Sequence, residues 1–216
     1  MAGWLLASLI LAVNPVLEAG RYRQEALALR QAEQFTEAIA LLEKAVALDP
    51  QHAGGWVLLG WTQHLAGRSA EGAQSLWQAV YRQPDQVEAY NALGIIYLVQ
   101  GELPTAILLH SWASLLKPDN EIAYYNLSLA YQQQQQTDLA IVYAQTACNL
   151  EPANPHPFLA LALAYQTAGQ SEQALGALRT GLNLNPLYGD RAYVENLRQA
   201  GFSKGQIQQI RSMLAE

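Results

Sequence analysis

The chain has 216 residues, a net charge of −6 and 51% hydrophobic residues, enough apolar material for a sizeable core. The negative charge argues against a broad nucleic-acid surface, and a single cysteine excludes an intramolecular disulfide. Residues 83–178 hold eight acidic residues and one lysine. This excess indicates either a solvated acidic surface or a surface that prefers a basic partner.

The first stretch of the chain, residues 1–13, is almost entirely apolar and ends at Asn14 and Pro15. Its length falls short of the roughly 20 residues that span a bilayer, and it lacks the basic start of a signal peptide. Aligned by its proline, it overlays the helix before Pro50, although positions that should face water are apolar. Residues 1–18 are therefore predicted to form an apolar N-terminal helix.

Three interpretations of this N-terminal helix remain open: a half-repeat stacked on the next helices, a membrane anchor, or a cleaved signal. Insertion of residues 1–17 would leave the basic residues that follow on the cytoplasmic side. The predicted location is therefore cytoplasmic, with membrane association on the cytoplasmic face if the segment inserts.

Five prolines follow at a spacing of 34 residues: Pro50, Pro84, Pro118, Pro152 and Pro186. Each comes directly after a helical stretch, where proline ends the helix. The constant spacing predicts five repeats of one helical hairpin, at residues 19–52, 53–86, 87–120, 121–154 and 155–188. Because one hairpin cannot bury its apolar face alone, the hairpins are expected to stack into a solenoid.

Other repeat positions align once each repeat is numbered 1–34 with its proline at position 32. Position 15 is glycine in three repeats, where the first helix must end in a left-handed residue: Gly67, Gly101 and Gly169. The third repeat shows the fullest pattern: Tyr90, Leu93, Gly94, Tyr97, Ala106, Ala113 and Pro118. This pattern resembles the tetratricopeptide repeat over residues 19–188, and Glu25 is a departure from it in the first repeat. The resemblance implies an all-α fold, a right-handed superhelical α-solenoid of antiparallel hairpins.

The repeat pattern ends after Pro186, and two helices are predicted near residues 190–200 and 204–215. Gly201 separates them, and Ser203 with Gln206 forms a capping box. One side of these helices is apolar, formed by Val194, Leu197, Ile207, Ile210 and Leu214. Residues 189–216 are therefore predicted to be a capping helical hairpin with a polar outer face.

No arrangement of residues indicates a reaction centre. The four histidines, His52, His64, His110 and His156, lie at unrelated repeat positions and lack metal-ligand spacing. Neither a phosphate-binding glycine loop nor a nucleophile elbow is present in the sequence. The prediction is a protein without enzymatic activity, cofactor or bound metal.

The resemblance also implies a binding surface, because the first helix of each hairpin lines the concave face in this family. Carried over by position, the predicted groove residues are Arg23, Leu27, Val57, Trp61, His64, Asn91, Ile95, Leu98, Tyr125, Leu129, Gln132, Leu159, Leu163 and Gln166. Position 9 is apolar in every repeat, which suits an amphipathic helix or an extended peptide. Trp61 and Tyr125 would be its aromatic anchors. The alternative is that helix packing partly covers this stripe.

The function favoured by these observations is a non-catalytic scaffold or assembly factor that holds a protein partner in the groove. The alternative is a permanent structural subunit or a self-associating solenoid. A carboxylate clamp for chaperone tails is not expected, since Arg23, Arg30 and Asn91 are the only candidates for it. The apolar N-terminus suggests a partner at a membrane complex, and the composition is compatible with bacterial repeat proteins of that kind. Trp77 and Trp112, if exposed, would mark a second contact on the convex face.

Overall fold

The computed structural model describes residues 14–215, and within this range every regular element is a helix. The α-helices are α1 Pro15–Gln31, α2 Phe35–Leu48, α3 Ala53–Leu65, α4 Ser69–Arg82, α5 Val87–Gln100, α6 Leu103–Leu116, α7 Glu121–Gln133, α8 Thr137–Leu150, α9 Pro155–Thr167, α10 Ser171–Leu184 and α11 Lys204–Met213. Two 3₁₀ helices, Pro186–Gly189 and Tyr193–Ala200, lie between α10 and α11. The predicted all-α solenoid of helix hairpins is confirmed.

The helices pack as five consecutive hairpins, α1 with α2 through α9 with α10. The first helices also contact one another along the stack, in the order α1, α3, α5, α7 and α9. Because helices on the inner side of a curved stack lie closest together, these five form the concave face. The odd-numbered helices therefore supply the surface on which the predicted groove residues lie.

The turn inside each hairpin requires a left-handed residue at repeat position 15, as predicted. Gly67, Gly101 and Gly169 have φ values of 80°, 82° and 73°. In the first and fourth repeats the same position holds Glu33 and Gln135, with φ values of 58° and 59°. The geometry is therefore shared by all five hairpins, although a side chain there is unfavourable by about 1–2 kcal/mol.

Small residues allow the two helices of a hairpin to approach each other. A Cβ atom added to Gly60 would lie 2.6 Å from the carbonyl oxygen of Gly72, on the facing helix. In the third hairpin, a Cβ atom on Gly94 would lie 2.5 Å from the ring of His110. His110 is completely buried on α6, so it serves as a packing residue in the space that glycine leaves.

The first hairpin begins earlier than the sequence suggested. Pro15 is the first residue of α1, and the side chain of Asn14 caps the helix by accepting a hydrogen bond from the Val16 amide. Proline is favourable at the first position of a helix. Residues 15–18, which the sequence pattern assigned to the N-terminal segment, therefore belong to the first hairpin. The three interpretations of the apolar stretch concern residues 1–13, which lie outside the described residues. None of the helices in residues 14–215 is both long and apolar enough to cross a membrane.

Candidate functional site

The concave face, here called the groove, is open to solvent near its N-terminal end. A depression of about 320 Å³ lies there between α1, α3, α5 and α7. Its lining is mostly apolar: Arg30, Val57, Leu58, Trp61, Glu88, Asn91, Ala92, Ile95 and Ile122. This part of the groove is called the open half. Arg30 and Glu88 are its charged residues, and burial lowers the pKa of Arg30.

A second depression of about 540 Å³ adjoins the first and shares Trp61, Ile95 and Ile122 with it. Its other wall is not part of the repeats. It comes from residues 186–215, here called the C-terminal segment, through Tyr188, Tyr193, Asn196, Gln199 and Ala200. The open half includes this second depression, so a ligand that fills both depressions would touch the repeats and the end of the chain.

Further along, the C-terminal segment covers the groove, and this region is called the filled half. Leu98, at repeat position 12, and the position 9 residues Leu129 and Leu163 are at most 1% exposed. They belong to one hydrophobic cluster with Val194, Leu197, Phe202, Ile207, Ile210 and Met213 of the segment. The apolar side of the predicted C-terminal hairpin is thus buried against the apolar stripe of the repeats.

Glutamine side chains fix the position of α11 in the filled half. The Gln206 amide nitrogen donates hydrogen bonds to the Leu129 carbonyl oxygen at 3.0 Å and to the Gln132 side chain at 2.9 Å. Gln132 in turn donates to Gln209 at 3.0 Å and to the Thr167 hydroxyl at 2.8 Å. Because Gln206 also completes the capping box with Ser203, helix formation and docking use the same side chain.

The turn before α11 approaches the repeats very closely. Gly201 ends the second 3₁₀ helix with a φ of 90°, and an added Cβ atom would clash with Asn126 Oδ1 on α7. Asn126 is fully buried and bonds through its amide nitrogen to the Ile122 carbonyl oxygen. Glycine at this position therefore satisfies both the backbone conformation and the space.

An aromatic contact joins the segment to α7 and α9. The His156 Nε2 atom and the Tyr188 hydroxyl lie 2.8 Å apart, and the His156 ring is 6.1 Å from that of Tyr125. Burial lowers the pKa of His156 and raises the pKa of Tyr125. Tyr125 is 4% exposed, so it packs mainly inside the chain, and it also lines the second depression.

Six of the predicted groove residues are buried in the structure: Leu98, Tyr125, Leu129, Gln132, Leu159 and Leu163. Leu159 packs against Gly181 of α10, within its own hairpin. Leu98, Leu129, Gln132 and Leu163 lie in the filled half, and Tyr125 lines the second depression. Sequence reasoning missed this docking, although two unmatched apolar faces in one chain, the position 9 stripe and the C-terminal hairpin, were a signal for it.

The remaining predicted groove residues lie in or near the open half, apart from Gln166, which is half-buried on α9. Trp61 is half-buried, with its ring 5.1 Å from that of His64, and Leu27 and Val57 are also partly exposed. Burial lowers the pKa of His64. Ile95 is buried but lines both depressions.

The candidate clamp residues are engaged within the chain. Arg23 forms an ion pair with Asp49 at 3.2 Å. Asn91 exchanges two side-chain hydrogen bonds with Asn120, at 3.2 and 3.1 Å. Arg30 lines the open half. The three side chains thus have separate environments rather than one shared carboxylate site.

Stacked antiparallel hairpins with a concave groove define an α-solenoid. Two models described as tetratricopeptide repeat match the chain, over residues 29–94 and 122–154. The chain therefore contains tetratricopeptide repeats, as the sequence pattern predicted, and the matches define no subfamily.

Solved structures share the fold. A crystal structure of MamA protein is 24% identical with a TM-score of 0.63, covering 78% of this chain and 92% of that chain. A second MamA structure is 25% identical with a TM-score of 0.63, covering 74% and 94%. YrrB, described as a TPR protein with an unusual peptide-binding site, is 18% identical with a TM-score of 0.58, covering 78% and 87%. No curated protein matches the chain.

Proposed function

We propose that this protein is a non-catalytic interaction scaffold that binds a segment of a protein partner in the open half of the groove. The observation that carries the proposal is the apolar depression around Val57, Trp61 and Ile95. Tetratricopeptide repeats are typical of protein-interaction scaffolds, and the peptide-binding site of YrrB shows that a similar fold can hold a peptide.

The dimensions of the open half favour a short ligand. The two adjoining depressions, about 320 and 540 Å³, are within the usual size of ligand pockets. The C-terminal segment blocks the rest of the stripe, so a long helix could not lie along all five repeats. The ligand is therefore an extended peptide or a short amphipathic helix with one or two large apolar side chains.

Two charged residues of the groove would set the orientation of the ligand. Arg30 and Glu88 both line the first depression. A ligand that carries an acidic and a basic residue beside its apolar side chains would pair with both. Such exposed pairs contribute more to orientation and association rate than to affinity.

The test is site-directed photocrosslinking followed by a binding measurement. A photoreactive residue replaces Val57 in the full chain, and the same residue at the exposed Gln74 on α4 is the control. Mass spectrometry identifies the partner segment crosslinked from the first position alone. That segment is then synthesised and its dissociation constant is measured.

The deciding variants are Trp61→Ala and Trp77→Ala, which make the same substitution in the groove and on the outer face. Trp61→Ala is expected to weaken binding at least about tenfold, as for a central aromatic anchor. Trp77→Ala should leave it unchanged. Equal affinities of wild type and Trp61→Ala would overturn the proposal. A role at a membrane complex depends on residues 1–17 and stays a prediction.

A further inference from the structure

The face of the solenoid opposite the groove carries large apolar side chains in contact with solvent. They lie on α4, α6 and α8 and form what is called the outer patch: Trp77 (42% exposed), Tyr81 (84%), Leu108 (66%), Trp112 (46%), Leu115 (67%), Leu139 (40%) and Val142 (56%). Trp77 and Trp112, the two convex-face candidates from the sequence, are both in this set. Groups of this size in water commonly mark an interaction surface.

The repeat register aligns these side chains into rows. Leu108, Trp112 and Leu115 follow at i, i+4 and i+7, so they share one face of α6. Leu108 and Val142 occupy repeat position 22, and Tyr81 and Leu115 occupy position 29. Because successive hairpins stack in register, equal positions are neighbours on the outer face. The patch therefore extends across three consecutive repeats.

The outer patch does not extend to the first and last hairpins of the solenoid. The corresponding surface of α2 holds Ala40, Glu43, Lys44 and Ala47, and that of α10 holds Gly176, Arg179, Thr180 and Asn183. Small, polar and charged residues thus flank an apolar and aromatic centre. Protein interfaces have this composition, with aromatic residues at the centre and a polar rim.

We propose that the outer patch is the contact between two copies of this chain, packed about a two-fold axis with the α6 helices antiparallel. α6 contains no charged residue, so the two copies of α6 bring no like charges together. α4 carries Glu71 in its first turn and Arg82 in its last. Antiparallel packing directs Glu71 of one copy toward the helix end that carries Arg82 of the other. Glu71 also pairs with Arg68 of its own chain, so these charges contribute little to the dimer, and the apolar side chains of the patch provide the contact.

The area is also suitable for a dimer. A fully exposed aromatic side chain buries about 150–250 Å² when it is covered. Tyr81 retains most of this area, Trp77 and Trp112 retain less than half, and four partly exposed aliphatic residues add to them. The total is several hundred Å², on the order of the 800 Å² per partner in a standard interface. A lipid surface fits less well, since residues 83–178 carry eight acidic residues and one lysine, which anionic headgroups would repel.

The test is the molar mass of the full chain by size-exclusion chromatography with light scattering, from about 1 to about 100 µM, since dimers depend on concentration. The wild type is expected to reach the mass of a dimer. The double variant Leu108→Glu with Leu115→Glu should remain a monomer, with the dimer dissociation constant raised at least about 100-fold. Both leucines are two-thirds exposed, so the monomer fold is expected to survive; circular dichroism checks this.

The matched control is Ala40→Glu with Ala47→Glu, which places the same charges at positions 22 and 29 of α2, outside the patch. It should dimerise like the wild type. A wild type that stays monomeric at about 100 µM, or a dimer that persists in the Leu108 and Leu115 variant, overturns the proposal. So does flotation with phosphatidylcholine and phosphatidylglycerol vesicles that this variant abolishes, because the patch would then contact lipid.

The dimer and the groove are tested separately. The patch variant is expected to bind the crosslinked segment with unchanged affinity, and Trp61→Ala is expected to dimerise normally. The failure of either proposal is therefore visible without the other.

Discussion

The open and filled halves of the groove are built from the same repeat positions, yet they have different neighbours. Position 9 is Trp61 in the second repeat, where it lines an open depression, and Leu129 in the fourth, where the C-terminal segment covers it. The repeats themselves do not create this difference. It depends on where the chain goes after Pro186. An apolar stripe on a solenoid can thus be buried either by a ligand or by the C-terminal segment of the same chain.

The two halves also provide different partners for the polar residue at repeat position 12. In the filled half, Gln132 has three side-chain partners, two of them on α11. At the equivalent position in the second repeat, His64 lies beside Trp61, and its Nδ1 atom is 2.9 Å from the Ser69 hydroxyl. The polar inner residue is therefore held mainly by the C-terminal segment in the fourth repeat and by its own hairpin in the second.

The largest expected effect comes from deleting residues 186–216, which turns the filled half into an open one. Complete burial of one leucine stabilises a fold by about 1.5–3 kcal/mol, and the deletion exposes Leu98, Leu129 and Leu163 together. We expect a loss of more than about 4 kcal/mol in the free energy of unfolding, measured by urea denaturation. A truncated chain as stable as the full one would show that the segment is undocked in solution.

A single substitution tests the docking of the C-terminal segment without deleting the segment. Gly201→Ala forces a Cβ atom toward Asn126 Oδ1 and a side chain into a left-handed conformation. The expected destabilisation is about 2–3 kcal/mol, from backbone strain plus the close contact. Hydrogen exchange should show the loss first in the amides of Tyr193–Ala200.

The control for this variant is Gly169→Ala. Gly169 has a similar φ of 73°, but an added Cβ atom meets nothing within 4 Å. Its destabilisation should be about 1 kcal/mol, the conformational part alone. Equal effects of the two variants would contradict the close approach of Gly201 to α7.

The sequence predicted the parts of this molecule that depend on neighbouring hairpins. Pro50 and its four equivalents gave the register, and the glycines at position 15 gave the turns, because these contacts recur every repeat. The capping box of Ser203 and Gln206 was also recognisable, since it is local. In contrast, the bond from Gln206 to the Leu129 carbonyl joins residues 77 positions apart. No periodic pattern encodes such a contact, because it depends on how the curved stack fits a non-repeated segment.

The pH dependence of stability tests α5, the helix that contributes residues to both halves of the groove. α5 supplies Ile95 to the open half and Leu98 to the filled half, and its Gly94 packs against His110. Burial lowers the pKa of His110 to about 3, while the unfolded chain retains a pKa of about 6.5. The unfolded state therefore binds the proton first as the pH falls. Stability is complete above about pH 6.5 and decreases below it, by about 2 kcal/mol at pH 5.

The variant His110→Leu should remove this contribution. Both ring nitrogens of His110 lack a hydrogen-bond partner within residues 14–215, so a leucine of similar size leaves no polar atom unpaired. Urea denaturation at pH 7 and pH 5 measures the difference in each chain. The loss between the two pH values should be about 2 kcal/mol smaller in the variant. An unchanged pH dependence would show that His110 becomes protonated in the folded state.

The smallest expected effect on the free energy of unfolding comes from the aromatic contact at the edge of the C-terminal segment. Tyr188→Phe keeps the ring beside Tyr193 and removes only the hydroxyl that meets His156 Nε2. A single hydrogen bond of this kind contributes about 1 kcal/mol, so the free energy of unfolding should fall by about that amount. Because burial lowers the pKa of His156, its imidazole stays neutral below the ordinary histidine pKa, and the bond is weakened only as the pH falls through that lowered pKa. The advantage of the wild type over Tyr188→Phe should therefore be the same at pH 8 and pH 7. If the variant instead opened the filled half as fully as the deletion does, by hydrogen exchange at α11, docking would depend on this one contact rather than on the cluster around Leu129 and Ile207.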